Sequence, residues 1–208
     1  MDTTRRTRSL SYEKTDHTKQ TILDSALELF IKKGFSKTTI RDISSAAELS
    51  VGSLYRYYSN KEDIFEAIAR MMVGENHMVF HSDMLPPGLT AYKFLLNHFD
   101  KVIDSFAPSG REGIAQIILK ESQYHPELKR IYFNVMFSPY ISELEKVVLI
   151  ASERKEIQLK STAFEFCLLI LSPIWMGMIY NSTLSKGDSV SVKNLFNANL
   201  YALFHAKD

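Results

Sequence analysis

Apolar residues recur at spacings of three and four along every long stretch of this chain. Nowhere does a segment alternate with a period of two for long enough to make a strand. That period dictates helices, and a chain built only of helices must bury one stripe of each against its neighbours. With 208 residues, 45% hydrophobic and 24% charged, there is material for one or two compact domains and a sizeable core. The single cysteine, Cys167, excludes an intrachain disulfide framework and a cysteine-rich metal site, and it suits a reducing cytoplasm. The opening MDTTRRTRSLSYEK has basic residues with no apolar segment behind them, so a cytoplasmic location is expected rather than a secretory signal.

Charge is unevenly placed. The net value is +1, yet residues 1–61 hold 11 Lys and Arg against 7 Asp and Glu, and the remainder holds 14 against 17. A phosphate backbone attracts net positive charge, so nucleic acid is a candidate partner for the front third alone. Residues 1–15 show no apolar period and read as a flexible basic arm, whose arginines either solubilise the chain or reach an adjacent groove. Ile22, Ala26, Leu29 and Phe30 define a first helix, with Lys32 and Lys33 in its last turn and Gly34 as a left-handed stop. Thr39 and Asp42 have the N-cap and N3 spacing of a second helix, on which Ile40, Ile43 and Ala47 share a face. Ser50 caps a third helix and Asn60 a fourth, which is expected to run to about His81 before Pro86, Pro87 and Gly88 end it. Beyond that break helices are expected at 90–106, 111–124, 126 to about 156 with Pro139 as a kink, 161–184 and 190–206.

The stretch VGSLYRYYSNK carries the chemistry. On a helix turning about 100° per residue, Leu54 and Tyr58 share an apolar arc with Val51 beside them, and Gly52, Ser53, Arg56 and Tyr57 take the other arc. Two turns do not stand alone in water, so the preceding helix must hold them through the tight connection SSAAELS, with Ala46 and Ala47 as its small packing side. Such a pair is a helix-turn-helix, whose second helix enters the major groove of DNA. Val51, Gly52 and Ser53 let the backbone approach base edges, where Ser53 donates or accepts a hydrogen bond and the methyls of Val51 meet a thymine methyl. Tyr55, Arg56 and Tyr57 reach phosphates or a base edge, and Lys61 adds a cation for phosphate.

The run TTIRDISSAAELSVGSLYRYYSNKEDIF, Thr38 to Phe65, closely resembles the DNA-binding signature of TetR-family transcriptional regulators. The resemblance implies that Thr39, Arg41, Ser50, Val51, Gly52, Ser53, Tyr55, Arg56, Tyr57 and Lys61 face DNA. Two positions depart from the pattern. Glu48 stands where the family has its turn glycine, so either a side chain tolerates a left-handed backbone or the turn differs; Ser44 and Ser45 replace an Ala and polar pair. Lys120 to Val147 is similar to the seventh-helix neighbourhood of many members, with its glutamate and His-Pro-Glu-Leu run.

By the same resemblance the fold is all-α. A helix-turn-helix domain at 16–64 would be linked by a long fourth helix to an effector-binding and dimerisation domain at 65–208. The aromatic and Met residues of that second part either line a ligand cavity or make ordinary core. Phe99, Tyr124, Tyr132, Phe133, Phe137, Trp175 and Met176 are the expected pocket residues; Phe166, Ile170, Ile174, Phe196, Leu200 and Leu203 are expected at the dimer interface. The uncharged run from Phe166 to Tyr180 is shorter than the roughly 20 residues a bilayer requires and contains Ser172 and Pro173, so an interface helix explains it better than a membrane span.

Function follows as an expectation: a homodimeric, sequence-specific DNA-binding regulator, a repressor released from a pseudo-palindromic operator by a small, largely apolar effector. A ligand-responsive activator and a helical interaction module without DNA contact are the alternatives. No cofactor is expected. Enzyme activity is not expected either, because no nucleophile elbow, phosphate-cradling glycine loop, zincin pair or Cys/His dyad occurs at useful spacing. His77 and His81 lie one turn apart, but with no third ligand nearby a metal site is not expected.

Overall fold

The computed structural model describes residues 3–74, 81–105 and 110–205, and among these every regular element is helical. The chain groups into two compact units. One is 1–71 with 113–132, and the other is 72–112 with 133–208. The first unit therefore takes in more of the fourth helix than a boundary at 64 allows, together with a distant stretch of chain.

In the first unit α1 runs Thr3–Lys33, so residues 3–15, expected as a flexible arm, are helical. No proline or glycine precedes Gly34, and nothing in the segment interrupts the backbone ladder. Gly34 ends α1 at φ +85°, in the left-handed region that a glycine occupies without a steric penalty. α2 (Ile40–Ala46) opens on the expected capping box between Thr39 and Asp42. It closes in a Schellman arrangement, with Leu49 N donating to Ser44 O (2.8 Å) and Glu48 N to Ser45 O (3.2 Å). Glu48 sits at the C′ position with φ +55°, so the side chain does occupy the left-handed backbone of the missing glycine. α3 (Val51–Leu54) is a single α-turn, shorter than the sequence suggests, and is prolonged by bonds from Tyr57 N and Tyr58 N to Leu54 O. α4 (Lys61–Gly74) follows.

The rings of Phe30, Phe35 and Phe65 meet at 5.1–6.1 Å in the core of this unit. Ile22, Ala26, Ile43, Leu54, Ile64 and Ile68 are fully buried around them. Burying one Leu such as Leu54 contributes about 2 kcal/mol, which is what seats so short a helix. Ala47 is buried as expected, but Ala46 is exposed, and Tyr58 is only half-buried.

The remaining elements are α5 (Ala91–Asp104), α6 (Arg111–Glu121), α7 (Pro126–Ile131), α8 (Ser138–Glu153), α9 (Ala163–Ile179) and α10 (Val192–His205). π-helical turns at Tyr132–Phe137 and Tyr180–Leu184 follow α7 and α9. Pro139 explains the first. It has no N–H to give Val135 and its ring crowds that carbonyl, so the helix widens just before it and resumes as α8. In the second unit α9 packs on α8 and α10, and α10 packs on α5. Pro173 lies inside α9 and leaves the Leu169 carbonyl without its helical donor. Asn199 Nδ2 from α10 fills that place at 2.9 Å and the Ser172 hydroxyl adds a second bond at 2.9 Å. Of the two His one turn apart, at which no metal site was expected, His77 lies outside the described residues; among those described there is no group of three or more His, Cys, Asp or Glu placed to hold a metal.

Candidate nucleic-acid interface

The α2–α3 pair presents one open surface. Gly52 is exposed and a Cβ there would meet nothing within 4 Å, so the fold itself does not require a glycine at this position. The open space suits close approach by something outside the chain. Next to it the side chains form a short hydrogen-bonded chain. The Ser50 hydroxyl accepts from Ser53 N (3.1 Å) and donates to Ser53 Oγ (2.9 Å), and Arg56 Nη2 also donates to Ser53 Oγ (3.3 Å). Ser50 is thus the N-cap of α3 and an orienting group for Ser53. Tyr55 is 52% exposed. Arg56 is exposed as well, and Val51 and Tyr57 are half-buried. Leu54, on the opposite face, is fully buried. Leu54 on the seated side and Gly52 and Arg56 on the open side fall where the arcs drawn from the sequence put them, whereas Ser53, Tyr57 and Tyr58 are all half-buried and are not divided between the two sides.

Thr39 and Arg41 lie at the start of α2. Arg41 is exposed, whereas the Thr39 hydroxyl is engaged on both sides: it donates to Asp42 Oδ2 (2.9 Å) and accepts from Asp42 N (3.1 Å). The bonds from Thr39, its backbone amide first, hold the Asp42 carboxyl below its usual range; Lys33 adds an ion pair at 3.2 Å.

Lys61 requires a correction. Its ammonium donates to the carbonyls of Phe35 (2.6 Å) and Thr38 (2.9 Å) and lies 4.2 Å from the centre of the Phe35 ring. Burial lowers its pKa. The side chain therefore clamps the α1–α2 corner from below, where the sequence reading gave it a phosphate. The reason is local. Gly34 turns the chain so that two carbonyls converge on the start of α4, and an ammonium with several rotatable donors satisfies both.

The same corner holds groups that sequence reasoning gave no role. The Glu121 carboxylate accepts from Phe35 N (2.7 Å), Ser36 N (2.7 Å) and the Ser36 hydroxyl (2.5 Å). His125 Nε2 meets the Ser36 hydroxyl at 2.8 Å, and its ring stands edge-on to Phe35 at 5.2 Å. Burial works to raise the Glu121 pKa, but the bonds from Ser36 and Phe35 outweigh it and the group titrates below its usual value. The fit is tight. A Cβ on Gly34 would lie 2.7 Å from Glu121 Oε1, and one on Gly113 would lie 2.5 Å from Ile31 Cγ1. The available signal was the i, i+4 spacing of Glu121 and His125, which puts both on one side of the chain as α6 ends.

The C-terminal expectations fare differently. Phe166, Ile170, Ile174, Phe196 and Leu200 are buried within the protomer, at 0–6% exposure, so they cannot meet a second subunit. They form the seam on which α9 and α10 pack, because an all-apolar helix buries the side nearest its own neighbours first. The outward side of the pair carries Phe164, Leu168, Leu169, Met176, Leu195 and Tyr201, all exposed. Leu203 lies between these groups and is half-buried.

Among the expected pocket residues, Phe99 is core, packed on Phe196 at 4.5 Å and on Tyr140 at 6.1 Å. Tyr124, Phe133 and Met176 are largely exposed, whereas Tyr132, Phe137 and Trp175 are half-buried. Tyr124 and Tyr132 belong to the first unit and the other five to the second. An open pocket of about 810 Å³ in the second unit is lined instead by apolar residues such as Ile157, Phe166, Leu203 and Phe204 and by the charged Lys155, Glu156 and Lys160. Cys167 is fully buried, and burial pushes its thiol up to about 12, which leaves it a small apolar side chain.

A short capped helix seated by one leucine on the helix before it, with an open glycine, a serine and an arginine on its free side, has the form of a helix-turn-helix. The model of the bacterial regulatory proteins of the tetR family matches residues 22–68, the segment that holds the end of α1, all of α2 and α3 and the start of α4. The negative regulator IcaR of the biofilm operon of Staphylococcus epidermidis is 45% identical over 47 residues, covering 23% of this chain and 25% of that protein. The repressor KstR2 of Rhodococcus jostii is 28% identical over 59% of this chain and 55% of its own length. The chain thus spans a quarter to just over half of these relatives, both of them regulators of transcription. In fold it matches FadR of Bacillus subtilis, solved with stearoyl-CoA, at a TM-score of 0.73, 20% identity, and 91% and 99% coverage of the two chains. It likewise matches Salmonella enterica GusR at 0.70, with 21% identity and coverage of 90% and 95%.

Proposed function

We propose that the chain is a homodimeric, cytoplasmic, sequence-specific DNA-binding repressor, released from a pseudo-palindromic operator by a small, largely apolar effector. The observation that carries this is the open side of α3, where Gly52, Ser53 and Arg56 are presented outward while Leu54 is locked in the core. Thr39, Arg41, Val51, Tyr55 and Tyr57 flank that side and supply phosphate and groove contacts. A second copy covers the outward stripe of α9, where Phe164, Leu168 and Met176 recur at multiples of four residues. Two recognition helices then fall about 34–36 Å apart, one turn of the duplex. The effector enters the aromatic C-terminal unit and favours a dimer state with a different separation. A neighbour in fold solved with stearoyl-CoA supports an effector with a long apolar part.

Electrophoretic mobility shift of the full chain on the DNA upstream of its own gene tests the reading. A specific shift that an added effector releases is expected; a folded dimer with unchanged DNA mobility at low salt would remove it.

A further inference from the structure

We infer that the tip of α3 reads its base through paired hydrogen-bond donors from Ser53 and Arg56, and that the base it selects is guanine. The inference rests on the DNA-binding reading and deepens it. Ser53 Oγ accepts from both Ser50 Oγ (2.9 Å) and Arg56 Nη2 (3.3 Å). A hydroxyl oxygen has two lone pairs, both engaged here, so the group has only its own proton left to offer. In the first bond Ser50 Oγ is the donor, while one of its own lone pairs accepts from Ser53 N. Arg56 is an obligate donor whose Nη2 has a second hydrogen beyond the one given to Ser53. Two donors therefore stand side by side, 3.3 Å apart, next to a glycine that leaves the groove side open.

The rest of the surface agrees. From Val51 to Tyr58 there is no Asn, Gln, Asp or Glu, so no carboxylate or amide carbonyl is present to accept from a base. In the major groove guanine shows two neighbouring acceptors, N7 and O6. Adenine shows an acceptor beside an amino donor, and cytosine shows an amino donor. Adjacent donors satisfy the guanine edge and confront the amino group of the other two, so the preference arises from attraction and from a mismatch penalty together. A lone arginine would leave the same guanine within reach of many side-chain poses. The bond to Ser53 fixes one of them before DNA arrives.

The test uses the full chain. Selection from a pool of random duplexes gives the preferred half-site, and binding is then measured on that site with single bases replaced. Each half-site is expected to contain a guanine whose replacement by 7-deazaguanine, or by adenine, weakens wild-type binding on the order of ten-fold. The penalty for 7-deazaguanine should shrink to near one-fold in Ser53→Ala, with an unchanged melting temperature reporting an intact fold. Specific binding with no guanine sensitive to deazapurine replacement overturns the inference without any variant, and so does Ser53→Ala retaining the whole penalty. Failure of the wild-type chain to retain any duplex overturns the DNA-binding reading itself.

Discussion

At the α1–α2 corner of the first unit, backbone groups left over by a tight turn are met one by one: Lys61 takes two carbonyls, Glu121 takes two amides, and Thr38 Oγ1 takes Gly34 O at 2.8 Å. In the second unit α9 and α10 meet along apolar side chains, and one amide, Asn199, reaches across to the carbonyl that Pro173 frees. Directional bonds fix a position, while apolar packing tolerates sliding as long as area stays covered. A recognition element needs the first kind of support. Under the proposed function, a unit that takes an effector and meets a second copy is better served by the second.

Substitutions can break this contrast. The largest effect belongs to Phe35→Ala, which removes a fully buried ring that also carries the Lys61 ammonium and the edge of His125; a loss of about 4 kcal/mol is expected in chemical denaturation. Phe133→Ala, at an exposed ring of the second unit, should cost less than about 0.5 kcal/mol in the same measurement. Glu121→Ala comes next, at about 2 kcal/mol, because it strands the amides of Phe35 and Ser36; a cost no larger than an ordinary surface change would show that the corner does not depend on it. Glu48→Gly is the one stabilising change, expected to gain about 1 kcal/mol by relieving a left-handed backbone without losing any bond that the structure gives the side chain.

Acid sharpens the comparison further. Glu121 titrates below its usual value, and so does Glu143 of the second unit, which bonds to Lys146 and to Ser82 N hold at about 2. A carboxyl whose folded pKa is depressed stabilises the protein fully above its unfolded value of about 4.3 and ceases to do so as pH falls through the folded one. Wild-type melting temperature should therefore fall below that pH, and Glu121→Gln or Glu143→Gln should each flatten the descent. The smallest effect on protomer stability is expected from Leu168→Glu, under about 0.5 kcal/mol at an exposed site, yet it should shift sedimentation from dimer to monomer. Unaltered association would place the subunit contact elsewhere.

Legibility followed the same divide. Gly34, the Thr39–Asp42 box and the Ser50 cap were readable because each depends on a few neighbouring residues whose chemistry admits one local geometry. Lys61 and Glu121 were not, since their partners are carbonyls and amides from distant parts of the chain, and every residue carries those groups alike. On α9 the obstacle was sameness. A helix apolar on all sides gives no period from which to tell the seam of Phe166, Ile170 and Ile174 from the outward stripe of Leu168 and Met176. π-helical turns shift the register again, and the run of Tyr132 to Phe137 gives no local sign of one until Pro139 is recognised as its cause.

The Lys61 clamp also changes what ionic strength should do to operator binding. Each cation seated on a phosphate releases counterions and steepens the fall of log affinity with log salt by about 0.9. An ammonium committed to Phe35 and Thr38 carbonyls releases none, so the slope should report Arg41 and other exposed cations, and fall short of a tally of basic residues by one for every subunit bound.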